Sequence, residues 1–276
     1  MKPKVIRIRS RDANFQHIEV LLRNREKRSR HKEFVVEGVR SINAVIEFKW
    51  RIKSFLYAAG RDLSDWATEI LRKSKADSHI ELQPELMAAV SSKEETSELI
   101  AIVAQRDDKL EAIQPSQEMF VVVFDRPGSP GNLGSSIRSC DAFSAAGIIV
   151  TGHCIDIYDP AVVRAATGSF FAVPVIRVPS AKDVFAWKNR LDDSGISLQV
   201  IATDEKGEET PTGVDLTRPT LLLMGNETAG LCKAYRDSAD YTVSIPMAGS
   251  ASSLNVSCAT SIFLYECARQ RLARSH

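Results

Sequence analysis

The first hundred residues alternate short apolar runs with stretches of helical spacing. Apolar side chains at Phe15, Ile18 and Leu21 recur every three residues, which predicts a helix over 14–25. Residues 1–11 fit a short strand or a loose arm, and the charge-dense stretch 23–32 is predicted to face solvent. The further predicted elements are a strand at 34–38, a helix at 39–48, a strand at 54–60, a helix at 63–73, a strand followed by a helix within 79–91, and a strand at 99–105. This alternation predicts a small α/β domain.

Longer apolar runs mark the second half of the chain, and turns rich in Gly, Ser and Asn follow three of them. VVVFDRPGSPGNLGSSIRSCDAF occupies 121–143, LLLMGNETAGL occupies 221–231, and VSIPMAGSASSLNVSCATSIFLYE occupies 243–266. Strands covered on both faces of a parallel sheet read as unbroken apolar runs, and they bind ligands beyond their carboxyl ends. The three turns are therefore the predicted ligand site.

Five or six strands alternate with helices in this half, which predicts a doubly covered parallel sheet. The predicted strands are 119–125, 147–152, 174–178, 197–204, 220–225 and 243–246, and the predicted helices are 135–146, 160–166, 183–191, a short one ending at 236, and 254–272. The polar segment 106–118 has no periodicity and contains a proline. We therefore predict a first domain over 1–106, a linker over 107–118 and a second domain over 119–276.

Composition narrows the class of protein. At 276 residues, with 44% hydrophobic and 26% charged residues, the chain has the make-up of a soluble globular protein. No apolar run approaches the roughly 18 residues of a membrane helix, and the N-terminus lacks the apolar core of a secretory signal. The five cysteines form no CxxC pair. That pattern argues against a disulfide framework or zinc site and favours a cytoplasmic location.

Charge is unevenly distributed although the net charge is only +1. Residues 1–53 contain 15 Lys and Arg against 6 Asp and Glu, and the remainder contains 21 against 29. A basic N-terminal arm on a mildly acidic body indicates a polyanionic partner, of which nucleic acid is the usual one. A solvated basic helix face is the alternative explanation of the same pattern.

Several nucleotide-binding and catalytic classes fail on their own motifs. Gly128, Gly131 and Gly134 give GxxGxxG, whereas the dinucleotide fingerprint requires GxGxxG. GNETAGLC at 225–232 has the spacing of a phosphate loop, but Leu231 stands where its lysine is required. The chain has no GxSxG elbow, and its five histidines are scattered. The sequence therefore argues against a dehydrogenase, a kinase, a hydrolase or a metal-dependent enzyme.

The three turns resemble the three motifs of the SpoU/TrmH family of RNA ribose 2′-O-methyltransferases. The first fits N-x-G-x-x-x-R, the second fits G-N-E-x-x-G, and the third is IPMAGSASSLNVSCA at 245–259; the matching positions of the first two are Asn132, Gly134, Arg138, Gly225, Asn226, Glu227 and Gly230. Residues 12–105 resemble the substrate-binding domain that often precedes this catalytic domain, most clearly in FVVEGVRSI at 34–42. Residues 97–99 depart from that pattern, where a glycine is expected.

The resemblance implies a SPOUT-type α/β fold, a parallel sheet whose C-terminal segment forms a trefoil knot, and a homodimer with its site near the interface. It implies S-adenosyl-L-methionine as the methyl donor and no metal, with the donor held by Met224, Gly225, Ile245, Met247 and Leu254. Knots are very rare, and periodicity could not have predicted one.

The resemblance also implies roles for five polar residues. Arg138 would act on the ribose hydroxyl or the neighbouring phosphate, and we favour the phosphate because arginine does not readily lose its proton. Asn132 would hold Arg138 or the ribose, and Glu227 would fix its loop or the arginine. Ser253 and Asn255 would contact the substrate, although N-capping of the last helix would equally explain them.

The predicted function is S-adenosylmethionine-dependent 2′-O-methylation of a ribose in structured RNA, with rRNA favoured over tRNA. The predicted RNA-backbone contacts are Arg23, Arg25, Lys27, Arg28, Arg30, Lys32 and Arg164. Two alternatives stay open at this point. One is an RNA-binding or assembly protein that keeps the fold without turnover, and the other is a methyltransferase acting on a base.

Overall fold

A computed structural model describes residues 3–274, which form two compact units. Unit 1 contains the chain up to Asp107 together with Tyr158–Ala172, and unit 2 contains Asp108–Ile157 and the chain from Val173 onwards. The segment Tyr158–Ala172, which the sequence pattern assigned to the second domain, therefore packs with the first hundred residues instead.

The secondary structure alternates strands and helices as the sequence pattern predicts. The first half contains β1 (Lys4–Ile8), α1 (Ala13–Arg23), α2 (Arg25–His31), β2 (Glu33–Glu37), α3 (Val39–Glu47), β3 (Ile52–Ala58), α4 (Asp65–Lys73), β4 (Ala76–Leu82), α5 (Pro84–Val90) and β5 (Ile100–Ala104). The second half contains β6 (Phe120–Asp125), α6 (Pro130–Ala142), β7 (Gly147–Thr151), α7 (Pro160–Ala165), α8 (Ser169–Ala172), β8 (Val175–Val178), α9 (Ala181–Asp193), β9 (Gln199–Thr203), β10 (Thr220–Met224), α10 (Lys233–Asp237), β11 (Tyr241–Val243) and α11 (Val256–Arg274).

Unit 1 is built on a five-stranded mixed sheet in the order β1-β4-β3-β5-β2. β5 runs antiparallel to both β2 and β3, whereas β4 runs parallel to β1 and β3. The apolar stripe of α1 packs on this sheet, with Phe15, Ile18 and Leu21 fully buried beside Leu56 and Met87. The helical spacing noted in the sequence is therefore the core-facing side of α1.

The segment Tyr158–Ala172 completes an aromatic cluster in unit 1. The rings of Phe34 and Tyr158 lie 4.8 Å apart, and the Trp50 ring contacts Phe171 edge to face at 5.3 Å. The Trp50 indole N–H also donates to the Phe171 carbonyl at 3.0 Å. Because Phe34, Trp50 and Phe171 are all at most 9% exposed, this segment supplies part of the unit 1 core.

Arg28 is a structural residue, which corrects its predicted role in binding RNA backbone. The stretch 23–32 forms α2 and the end of α1, and within it Arg28 is only 2% exposed. Its guanidinium donates to the Leu21 and Leu22 carbonyls at 3.0 and 3.2 Å and to Asp159 Oδ2 at 3.1 Å. A buried arginine must be satisfied internally, so this side chain does not reach a phosphate in solvent.

Unit 2 is built on a six-stranded, all-parallel sheet in the order β11-β9-β10-β6-β7-β8. Val121 and Leu221 face the same core as Trp187 of α9, and their neighbours Val122 and Leu222 are equally buried. Both faces are therefore covered, as the unbroken apolar runs predict. α6 and α11 pack against each other, and their Ser139 and Ser261 hydroxyls are 2.7 Å apart.

Two predicted boundaries in unit 2 are wrong. α6 begins at Pro130 instead of 135, because the Ser129 hydroxyl accepts from the Asn132 N–H and proline suits the first helical turn. β11 is Tyr241–Val243 instead of 243–246, because its partner β9 ends at Thr203, opposite Val243. Asn132 therefore sits on a helix, and 244–255 is an irregular segment.

Among the described residues no helix is long and apolar enough to cross a membrane. Within the same residues no group of three or more His, Cys, Asp and Glu side chains could hold a metal ion. The trefoil knot implied by the resemblance stays a prediction.

Candidate active site

The segments that follow β6, β10 and β11 meet at one cleft in unit 2. β6 and β10 are adjacent and parallel, with Phe124 opposite Met224, so their carboxyl ends lie side by side. The cleft has a volume of about 710 Å³. Its lining includes every residue predicted to hold the methyl donor and four of the five predicted catalytic residues: Met224, Gly225, Ile245, Met247, Leu254, Asn132, Glu227, Ser253 and Asn255.

A chain of hydrogen bonds joins the three motifs at the cleft. The Asn132 amide donates to Glu227 Oε1 at 3.0 Å, and the Asn255 amide donates to Asn132 Oδ1 at 2.9 Å. Asn255 Oδ1 accepts in turn from the Ser257 N–H at 2.8 Å and the Ser257 hydroxyl at 2.6 Å. Because the Glu227 carboxylate can only accept, the network fixes the orientation of both amides.

The contacts of the predicted site residues are as follows. Asn255 directly precedes α11 and accepts from the Ser257 N–H as a helix cap does, while its amide group donates to Asn132 in the cleft lining. Ser253 lies three residues ahead of α11 on the cleft lining. Glu227 bonds to Asn132 and not to the arginine of the first motif.

Arg138 stands apart from this chain. It is exposed on α6 and makes no hydrogen bond or ion pair within residues 3–274. Six residues, about one and two-thirds helical turns, separate it from Asn132, so the two side chains leave α6 on different faces. The geometry leaves the guanidinium available for a ligand.

The lining of the cleft suits a largely neutral ligand that carries local positive charge. Apolar surface comes from Met224, Ile245 and Leu254, and from four residues that were not among the predicted site residues: Val243, Val256, Ala259 and Phe263. Lys206 is the one basic side chain in the lining, beside the carboxylates of Asp204 and Glu205. A pyrophosphate would require more positive charge, whereas an adenosine bearing a sulfonium group fits.

Gly225 is required by a close approach of backbone to backbone. A Cβ at this position would lie 2.7 Å from the Gly230 carbonyl carbon and 2.8 Å from the Leu231 nitrogen. The turn 226–230 therefore folds back directly over residue 225 and exposes Glu227 at its tip.

Asp125 and Arg126, at the end of β6, were not among the predicted site residues, and they hold the turn 226–230 that carries Glu227. Asp125 is 3% exposed and accepts from Arg126 Nε and Nη2 at 3.0 and 2.9 Å and from the Cys232 N–H at 2.7 Å. The hydrogen bonds that Arg126 donates to the Asp125 carboxylate raise the pKa of Arg126 above its ordinary value. A charged pair at the end of a predicted strand, within the stretch 121–143, was the available signal.

The predicted RNA-binding residues all lie in unit 1, and they divide into exposed and buried groups. Four are exposed at the end of α1 and around α2: Arg23, Arg25, Arg30 and Lys32. Lys27 is half-buried, and Arg28 is buried as described above. Arg164 on α7 is exposed and donates to the Ser92 hydroxyl at 2.6 Å.

Comparison with known families matches both parts of the chain. The SpoU rRNA Methylase family matches residues 119–265, and the SpoU L30e-like domain matches residues 12–101. The chain is 47% identical over 272 residues to a 23S rRNA (uridine(2479)-2′-O)-methyltransferase of Streptomyces viridochromogenes, covering 98% of this chain and 94% of that protein.

Solved structures give the same result. The SpoU methyltransferase AviRb of Streptomyces viridochromogenes, crystallised in complex with the cofactor AdoMet, has a TM-score of 0.92 at 47% identity, covering 95% of this chain and 99% of that one. An AdoMet-bound rRNA methyltransferase of Sinorhizobium meliloti has a TM-score of 0.84 at 30% identity, covering 96% and 98% of the two chains. The chain described here belongs to the SpoU rRNA methylase family.

Proposed function

We propose that this protein transfers a methyl group from S-adenosylmethionine to a ribose 2′-hydroxyl of ribosomal RNA. The observation that carries the proposal is the chain from Glu227 through Asn132 to Asn255, which brings the three motifs together at a cleft suited to the donor. The relatives support both the substrate class and the donor, because two of the three are named as rRNA methyltransferases and two are described with AdoMet. A ribosomal RNA substrate also accords with a cytoplasmic protein.

The apolar and backbone surfaces of the cleft would bind the donor. Met224, Ile245 and Leu254 would cover the adenosine and methionine portions, and the backbone of Gly225 also lies in the cleft lining. When bound, the donor supplies an electrophilic methyl carbon on a positively charged sulfur. Asp204 and Glu205 add negative charge to the lining, which favours a cationic ligand.

The hydrogen-bond chain from Glu227 through Asn132 to Asn255 would orient the ribose. Asn132 and Asn255 are held in one orientation by Glu227 and Ser257, so their polar groups form a preorganised edge for a sugar hydroxyl. Preorganised contacts contribute to rate because methyl transfer needs an in-line approach of oxygen to carbon. Glu227 has one carboxylate oxygen bonded to Asn132, and its other oxygen is a suitable acceptor for the hydroxyl proton.

Arg138 would hold the RNA backbone beside the target ribose. Its exposed guanidinium presents a planar fork of donors that matches a phosphate. Arg23, Arg25, Arg30 and Lys32 in unit 1 would add phosphate contacts that do not read sequence.

We also infer a homodimer through unit 2. α11 exposes Ile262, Tyr265 and Leu272, which are 38%, 59% and 66% accessible, and the Tyr265 ring contacts Phe143 at the end of α6. A second copy of this chain is the proposed occupant, as the family resemblance implies. Sedimentation equilibrium should give twice the monomer mass for the wild type. The double variant Tyr265→Glu, Leu272→Glu should give the mass of the monomer.

Methylation of ribosomal RNA tests the function directly. Unmodified 23S rRNA, radiolabelled S-adenosylmethionine and purified protein should yield a single labelled 2′-O-methylnucleoside that protects its phosphodiester bond from alkali. Arg138→Ala should abolish incorporation and leave calorimetric donor affinity within about twofold, because the arginine faces the RNA; Arg190→Ala, another exposed arginine of unit 2, is the control.

A second titration tests the cleft. Leu254→Trp should remove saturable S-adenosylmethionine binding by filling the cleft. Label on a base, or donor binding without any methylated product, would contradict the proposed function.

A further inference from the structure

The turn 226–230 positions Glu227, and its own hydrogen bonds make it a compact loop. The Asn226 N–H donates to the Gly230 carbonyl at 3.1 Å, and the Gly230 N–H donates back at 2.9 Å. Asn226 Oδ1 accepts from the N–H groups of Thr228 and Ala229 at 2.9 and 3.0 Å. The loop is therefore rigid within itself, and the position of Glu227 depends on how the loop is attached to the sheet.

That attachment runs through Asp125, the last residue of β6, and Arg126, which follows it. Arg126 Nη2 donates to the Gly230 carbonyl at 3.1 Å, and the Arg126 carbonyl accepts from the Asn226 amide at 2.7 Å. Asp125 accepts from the Cys232 N–H at 2.7 Å, just beyond the loop. Both ends of the turn are thus tied to consecutive residues at the end of the neighbouring strand.

The conformation of Arg126 is built for this attachment. Its φ of 54° lies in the left-handed region, which costs free energy for a residue with a side chain. The backbone turn lets its guanidinium return over Asp125 while its carbonyl faces Asn226. Gly152, which follows β7, leaves room for the arginine stem, because a Cβ there would lie 2.7 Å from Arg126 Cγ.

We propose that Arg126, held by Asp125, is a positioning residue that sets the distance between Glu227 and Asn132. The inference rests on the proposed function. Arg126 is not itself part of the cleft lining or of the hydrogen-bond chain, and it contacts Asn226 and Gly230 of the loop, so it acts through the loop. Without it, the Gly230 carbonyl loses a charged donor, and the buried Asp125 carboxylate keeps the Cys232 N–H but loses both arginine bonds.

A double-mutant cycle on turnover tests the proposal. Arg126→Ala should lower kcat for rRNA by ~30-fold and leave KM within about twofold, because a displacement near 1 Å at the chemistry costs that order of rate. In a Glu227→Gln background the same change should cost at most about threefold, because the group that Arg126 positions is already lost. Arg177→Ala, which breaks an ion pair with Asp108 elsewhere in unit 2, is the control. It should lower kcat only slightly, and by the same factor in the wild-type and Glu227→Gln backgrounds.

Two further measurements distinguish a positioning role of Arg126 from a general loss of structure. Arg126→Lys keeps the charge but cannot bridge Asp125 and Gly230 together, so it should not restore kcat. Hydrogen exchange at the amides of Asn226 and Gly230 should quicken in Arg126→Ala and stay unchanged in Arg177→Ala.

Equal losses in both Glu227 backgrounds, restoration by lysine, or unchanged exchange would each overturn the proposal. The exchange measurement does not need turnover. Failure of the wild type to methylate rRNA would therefore count against the proposed function. The attachment of the loop by Arg126 could still be tested by hydrogen exchange.

Discussion

Replacing Arg28 by methionine should destabilise unit 1, whereas the same change at Arg30 should not. Both arginines lie on α2, but Arg28 is buried and Arg30 is exposed. Methionine keeps most of the aliphatic stem, so the substitution chiefly removes the guanidinium. The Leu21 and Leu22 carbonyls and Asp159 then lose their partner.

The magnitude follows from these three contacts. Removing one partner of a fully buried ion pair costs about 3–5 kcal/mol. The Asp159 side chain is 37% exposed, so water recovers part of its loss and the ion-pair share must be reduced. The free energy of unfolding of unit 1 should therefore fall by about 2–4 kcal/mol in Arg28→Met, against less than about 0.5 kcal/mol in Arg30→Met.

Tryptophan fluorescence in urea can report unit 1 alone. Two of the three tryptophans, Trp50 and Trp66, lie in unit 1, and Trp187 lies in unit 2. In a Trp187→Phe background the unfolding midpoint therefore follows unit 1 for both variants. Equal midpoints would refute the structural role of Arg28. RNA affinity provides the opposite test, because Arg30→Met should reduce its salt dependence and folded Arg28→Met should not.

Two other substitutions have outcomes set by local geometry. Burial alone would raise the pKa of Glu37, but hydrogen bonds from Ser91, Ser92 and Ser97 outweigh it and hold that pKa below its ordinary 4.5. This stabilisation is complete above pH 4.5 and is lost as pH falls through the lower native pKa, so urea titrations should show Glu37→Gln converging on wild type in acid. Gly225→Ala should destabilise unit 2 by about 1–3 kcal/mol and weaken donor binding in calorimetry, because its Cβ meets backbone; Gly249→Ala, with open space, should change neither.

Periodicity predicted the architecture because burial on two faces leaves a direct trace in sequence. The unbroken apolar runs beginning at 121 and 221 are adjacent central strands, and the turns after them do converge. The start of α6 was missed because Pro and Gly at 130 and 131 read equally as a turn. Only the cap from Ser129 to the Asn132 N–H distinguishes the helix.

Other features depend on contacts between distant parts of the chain, which a pattern does not contain. Arg28 sits in a run of charges where every member looks exposed, and its burial depends on Asp159, 131 residues away. The attachment of the turn 226–230 by Arg126 depends on the left-handed φ of Arg126 and on its hydrogen bond to the Gly230 carbonyl. The hydrogen bond between Asn132 and Asn255 likewise joins residues 123 apart, and both of them line the cleft.

The return of Tyr158–Ala172 to unit 1 has a consequence for synthesis on the ribosome. Unit 1 cannot close when Asp107 emerges, because Phe34 and Trp50 still lack Tyr158 and Phe171. About 65 further residues must be translated first, which takes roughly 3–13 s at bacterial and eukaryotic elongation rates. During that interval the apolar faces of two aromatic rings are open to chaperones or to other nascent chains. A fragment ending at 107 should share this exposure permanently, so exchanging substrate-binding domains between relatives requires moving both pieces of chain.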